Sequence, residues 1–151
     1  VRTSRGGSGR GLPVGAGAER LSASYPAAPA SVGAARAALA AFAARAGASK
    51  ETIEAAVLAV SEAVTNVVMH AYRDAGRPGA VELEAATAGG ELWVIVADDG
   101  GGLRARRDSP GLGLGLGLIA QVSQGVEIVN RSGGGLELRM RFALDPAAAA
   151  S

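Results

Sequence analysis

The sequence predicts an α+β fold: a two-layer α/β sandwich in which helices cover one face of a mixed, mostly antiparallel sheet. Three observations carry that prediction. Ile53, Val57, Val60, Val64 and Val67 recur at alternating spacings of four and three, an apolar helical stripe. Residues 81–87 and 92–97 are strand-like runs around Gly89 and Gly90, which read as a hairpin turn. Residues 126–130 and 136–144 are two further strand-like runs that close the chain after a Gly-rich stretch and a helix.

The elements follow in order. Residues 1–19 mix Gly, Ser and Arg, which bury too little surface to offset ordering entropy, so a flexible arm is expected. Residues 20–25 alternate as a short edge strand, closed by Pro26 and Pro29. Ser31 can cap a helix to about Ala46, which Gly47 ends. Ser49 can cap a second helix to about Tyr72, before Gly76, Pro78 and Gly79 break it. Residues 92–97 form a continuous apolar run, consistent with a buried strand. The helix that starts in the Gly-rich stretch runs to about Ser123, and residues 132–135 join the last two strands. Residues 146–151 are expected to be a disordered, frayed tail, which leaves 20–145 as one domain with no internal repeat.

Composition narrows the function classes. The 151 residues suffice for one domain with a sizeable core. Aromatic residues make up only 3%, so that core is built from Ala, Val, Leu and Ile. The formal charge is +1 and Lys50 is the single lysine, which does not announce the dense basic patch of a nucleic-acid binder. The absence of Cys excludes disulfides and thiolate metal sites. No charge-free stretch of membrane-spanning length is read: the best helical run, 50–72, carries Glu62, Asn66 and His70. Residues 1–17 lack an apolar signal core, and a cytoplasmic location is expected.

Three motifs carry chemistry. Glu62 and Asn66 stand four apart in SEAVTNVVMHAY, so they share a helix face roughly opposite the Val stripe. A carboxylate and an amide oxygen are hard ligands suited to Mg²⁺, directly or through water, and the carboxylate can serve as a general base. An ordinary solvated helix face accounts for Glu62 as well, and His70 reads as structural. The second motif is Asp98-Asp99-Gly100-Gly101-Gly102, after the buried strand. A carboxylate there needs a partner, which an amino group such as adenine N6 would supply, while a plain turn is the alternative. The third is GLGLGLGLI, residues 111–119, whose glycine N–H groups at a helix start suit an anion such as a triphosphate. A flexible linker is its alternative. It is neither a Walker A loop, since no Gly-Lys-Ser/Thr occurs, nor a Rossmann fingerprint, since Leu116 stands where the third glycine belongs.

In order and spacing, Asn66, Asp98 and the 111–117 glycines resemble the N-box and the two glycine boxes of the GHKL ATPase fold, over roughly residues 20–144. Within that superfamily, the pattern from Glu62 to Tyr72 is similar to the anti-sigma-factor serine/threonine kinases, whereas histidine kinases usually carry Asn where His70 stands. The resemblance implies ATP and Mg²⁺ as cofactors. Asn66 would ligate Mg²⁺, with Glu62 reaching it through water, and Glu62 would activate a seryl hydroxyl. Asp98 would hold adenine N6, with Gly100 and Gly102 beside the ring. Gly111, Gly113 and Gly115 would wrap the phosphates, and Leu116 counts among the nucleotide-binding positions.

Two departures stand out. Only residues 103–110 separate the two glycine boxes, which by the resemblance implies a short lid, where Arg104, Arg106 and Arg107 could meet phosphate or simply be solvated. Gly117 replaces the Pro or Ser of many relatives. The activity implied is phosphorylation of a STAS-type anti-sigma antagonist, together with sigma-factor binding that regulates transcription. A homodimer is suggested, and neither direct nucleic-acid nor membrane binding is expected. The alternative is a nucleotide-binding module that docks partners without phosphoryl transfer. A histidine-kinase fragment fits poorly, because the only His lies inside the N-box.

Overall fold

Alternation of apolar and charged residues along the strands builds a sheet with one face for helices and one largely for ions. The computed structural model describes residues 2–5, 11–13, 18–72, 76–101 and 112–149. Six strands, β1 (Arg2–Arg5), β2 (Glu19–Pro26), β3 (Ala80–Ala88), β4 (Glu91–Ala97), β5 (Gly125–Asn130) and β6 (Leu136–Ala143), form one sheet in the order β1-β2-β3-β4-β6-β5. Every neighbouring pair is antiparallel. The helices are α1 (Ala30–Arg45), α2 (Lys50–Asn66), α3 (Leu112–Val122) and a short α4 (Pro146–Ala149).

The core lies between the sheet and α1–α3. Leu21, Val81, Leu83, Leu92, Val94, Val96, Leu138, Met140 and Phe142 meet Leu39, Phe42, Val60, Val64, Val67 and Ile119 there. Small residues, Ala35 and Ala43 on α1 and Ala56, Ala59 and Ala63 on α2, are fully or almost fully buried and let helices and sheet approach closely. The buried face of α2 is therefore rotated from the expected stripe: Val60, Val64 and Val67 are buried, while Ile53 and Val57 are only half-buried. The opposite sheet face holds a smaller cluster of Leu12, Ala86, Ile95 and Ala97 beside Trp93. Strand β4 is thus covered on both faces, which explains its continuous apolar run.

Several expectations are corrected. Residues 2–5 of the expected arm form β1 against β2, so β2 is an interior strand and not an edge. A free strand edge is satisfied by backbone pairing alone, which leaves no apolar pattern to read. Ser31 does not cap α1: Pro29 occupies the cap position without a side-chain bond, and Ser31 Oγ donates instead to Pro26 O at 2.6 Å. Ser49 does cap α2, accepting the Thr52 N–H at 3.2 Å. The last turn of the long helix, Val67–Ala71, is π-helical. Residues 146–149 of the expected tail are helical.

With its π turn, Lys50–Ala71 is 22 residues long, long and apolar enough by length and composition to cross a membrane, which the sequence reading did not anticipate. Its apolar side is taken up by α1 and the sheet.

Phe42 is the largest fully buried side chain, so Phe42→Ala should lower stability by about 3–5 kcal/mol. Ser49→Ala should cost about 1 kcal/mol by exposing one helix-start donor. Urea unfolding checks both, and a Phe42 effect as small as the cap effect would contradict this packing.

Candidate nucleotide site

The helical period brings Glu62 and Asn66 to one face of α2, half-buried beneath α3. The contact is made at Gly115. A β-carbon there would lie 3.2 Å from Asn66 Nδ2 and 3.3 Å from Glu62 Oε2, tighter than nearly all real contacts. The missing side chain therefore keeps the two polar groups close to the α3 backbone. A carboxylate and an amide form a hard-donor pair that fits Mg²⁺, with phosphate and water left to complete its shell. Among the described residues no cluster of three or more His, Cys, Asp or Glu forms a separate metal site.

The Gly-rich stretch starts a helix, as its pattern predicts, and does so early. Leu112 already begins α3, so Gly113 and Gly115 lie in its first turns. The first four N–H groups of a helix lack intrahelical acceptors, so the start of α3 offers donors to an anion. Leu116 is half-buried and packs against the main core. Gly117 faces open space. Gly102, Gly111 and the expected lid, residues 103–110, lie outside the described residues.

Asp98 follows β4 and is 1% exposed. Its backbone extends the ladder to β6, with Asp98 N–H donating to Leu136 O at 3.0 Å and Leu136 N–H to Asp98 O at 3.3 Å. Asp98 Oδ1 accepts the Gly100 N–H at 2.9 Å, so part of the compensation for burying this carboxylate is internal to the turn. Gly100 packs so tightly on the Ala71 carbonyl that any β-carbon would collide with it. Gly101 N–H then donates to that carbonyl at 2.9 Å. The end of the π turn is thereby tied to the Asp98 turn.

This join contains residues to which the sequence reading gave no role. Tyr72 Oη lies 2.5 Å from Asp99 Oδ1 and 2.6 Å from Ala80 O, and accepts the Asp99 N–H at 3.2 Å. Its single proton serves one acceptor at a time. Arg77 donates to Asp99 O at 3.0 Å, pairs with Asp99 Oδ2 at 3.6 Å and lies over the Tyr72 ring. The Tyr72 hydroxyl is the main cause that holds the Asp99 carboxyl below the usual carboxylate range, with Arg77 assisting. Burial first, then the hydrogen bond to Asp99, pushes the Tyr72 phenol up. Gly135, at φ +97, sits against the Asp98 carbonyl where a β-carbon would clash. Tyr72 ends the N-box motif and Gly135 ends a glycine run, but only the folded chain shows what they touch.

A sheet backed by helices, with a polar N-box face under a glycine-led helix and a buried carboxylate at a strand end, defines a class. The chain belongs to the histidine kinase-like ATPase domain family, whose profile matches residues 25–142. More particularly, it is 33% identical to the serine-protein kinase RsbW of Bacillus subtilis over 77% of this chain and 81% of that protein. The RsbW kinase of Bacillus pumilus is 36% identical over 75% of this chain and 80% of its own length. The match to the Bacillus licheniformis RsbW kinase, at 38% identity, covers 64% of this chain and 59% of that protein. Among solved structures, the RsbU and RsbW domains of Rv1364c from Mycobacterium tuberculosis superpose with a TM-score of 0.66 at 26% identity, over 84% of this chain and 33% of that one. The histidine kinase domain of the Erythrobacter litoralis EL346 blue-light activated histidine kinase gives 0.54 at 29% identity, over 76% and 60%.

Because the Asp99 carboxyl is depressed in the folded state, the unfolded chain binds more protons in the acid range. Its contribution is present above the ordinary carboxylate value and lost as pH falls through the depressed one. Tyr72→Phe removes the main cause. The stability gap between wild type and variant should therefore narrow between about pH 7 and about pH 2.5. Denaturation at both values tests this, and a gap of constant size would refute it. Gly135→Ala should cost about 2 kcal/mol or more, from positive φ and the clash at Asp98. A variant as stable as wild type would contradict that geometry.

Proposed function

We propose that this chain is an ATP-dependent serine/threonine protein kinase of the anti-sigma type, which phosphorylates a STAS-type antagonist and binds a sigma factor. The single observation that carries the reading is the meeting of Glu62 and Asn66 with the first turns of α3 at Gly115. Its likeness to the RsbW serine-protein kinases adds support.

In this reading Asp98 receives the adenine amino group, with Gly100 keeping the backbone close to the ring. Gly102 and Gly111, from the same two motifs, join the base and phosphate contacts. Gly113, Gly115 and Leu116 present the start of α3 to the phosphates. Asn66 Oδ1 would hold Mg²⁺, with Glu62 assisting through water, and the ion when bound would neutralise phosphate charge. Glu62 takes the proton of the attacking seryl Oγ as the Oγ–phosphorus bond forms. The bond from the γ-phosphorus to the bridging oxygen breaks, and ADP leaves with its electron pair. Phosphoryl transfer asks mainly for positioning and charge neutralisation, which such a frame provides. The chain acts in the cytoplasm, 20–145 is its catalytic domain, and a homodimer is its working state.

Calorimetry with ATP and ADP, with and without Mg²⁺, should show Mg-dependent binding that Asp98→Asn removes. Glu62→Gln should bind ATP within a few-fold of wild type but lose transfer to the antagonist by about 100-fold or more. Retained transfer in Glu62→Gln would exclude the general-base role, and unchanged ATP affinity in Asp98→Asn would exclude the adenine role.

A further inference from the structure

The helix-free face of the sheet carries an ion network that the nucleotide site leaves unexplained. Register sets Glu82 of β3, Ala97 of β4 and Glu137 of β6 in one row across that face. Arg131, at the start of the β5–β6 turn, reaches over this row. Its Nη1 lies 3.6 Å from Glu82 Oε2 and its Nε 3.9 Å from Glu137 Oε1. The Arg131 side chain is 16% exposed and that of Glu137 only 6%. A guanidinium so poorly solvated is costly unless its donors are used. Its closest partner is neither carboxylate. Nη1 donates at 2.9 Å to the backbone carbonyl of Asp98.

That bond links the back of the sheet to the residue read as the adenine ligand on the front. The Asp98 carbonyl now accepts from two donors, Arg131 and the longer Leu136 N–H. Two donors on one carbonyl fix the plane of the peptide that follows Asp98. The Gly100 N–H fixes one carboxylate oxygen. Backbone and side chain of Asp98 are then both restrained, and the direction of its carboxylate is set by groups that never touch the base.

We propose that Arg131 is a positioning residue for recognition of the adenine base, anchored by Glu82 and Glu137 and acting through the Asp98 carbonyl. This rests on the reading of Asp98 as the partner of the adenine amino group. An aimed carboxylate favours a base with an amino group at that position over one with a carbonyl. ATP and inosine triphosphate differ there, so the ratio of their affinities measures the aim of Asp98. A general loss of stability would weaken both nucleotides alike.

The experiment is calorimetric titration of the whole chain with Mg-ATP and Mg-inosine triphosphate, for wild type, Arg131→Met, Arg131→Lys and Glu82→Gln. Wild type should prefer ATP. Arg131→Met should lose about tenfold in ATP affinity and shrink the ATP preference by a similar factor, with inosine triphosphate little changed. Arg131→Lys, which keeps a donor, should recover part of the preference, and Glu82→Gln should reduce it less than Arg131→Met. A preference unchanged in Arg131→Met, whether ATP affinity is kept or falls equally for both nucleotides, overturns the proposal. Should Arg131→Met fail to fold, an unchanged preference in both remaining variants overturns it in the same way. Wild type that binds neither nucleotide, or binds both equally, overturns the reading of Asp98 itself and the positioning role with it.

Discussion

A carboxylate with almost no access to water follows β4, and much of the architecture converges on the residue that carries it. Asp98 cannot be left bare at 1% exposure, because a buried charge without donors is among the costliest features a fold can hold. The Gly100 N–H reaches the carboxylate itself, while the ladder to Leu136 and the Arg131 guanidinium hold the backbone of the same residue. Each needs close approach. Two glycines supply it, Gly100 against the Ala71 carbonyl and Gly135 against the Asp98 carbonyl. The same crowding that stabilises the turn leaves it little freedom to move.

The second half of the site depends on how α2 is seated. Its Ala-rich face brings the helix close to the sheet, and that depth decides where Glu62 and Asn66 stand relative to α3. The helix then widens into a π turn, which ends with the Ala71 carbonyl directed at Gly101. Extra residues of this kind within a helix often mark functional segments. Here the π turn links the N-box helix to the Asp98 turn, so the groups read for phosphate and for base belong to one mechanical unit. Tyr72, Asp99 and Arg77 close that joint on its exposed side.

Much of this was legible in the chain. The order of strands and helices follows from apolar period, and the boundaries of β3, β4, β5 and β6 fall within a residue or so of those read from pattern. The grouping of Glu62 with Asn66 follows from helical spacing alone. What escaped was governed by backbone pairing or by contacts between distant segments. Strand β1 binds a free edge, which needs no particular side chain. Ser31 looks like a cap but finds the carbonyl of Pro26 instead, because the chain turns sharply there. Where in the Gly-rich stretch the helix starts was not encoded locally either: it begins at Leu112, since packing of α3 on α2 outweighs glycine's poor helix propensity.

The sequence by itself determined which residue types were available and on which face of each element they fall, because local period and turn chemistry are properties of a few neighbouring residues. It thereby determined the two-layer frame and the presence of a hard-donor helix face, a strand-end carboxylate and a glycine-led helix. Only the tertiary structure decided how these meet. Gly115 set against Asn66, Ala71 tied to Gly101, and Arg131 brought from the back of the sheet to the Asp98 carbonyl all join residues far apart in the chain. Such contacts arise from the packing of the whole molecule, and no local pattern encodes them.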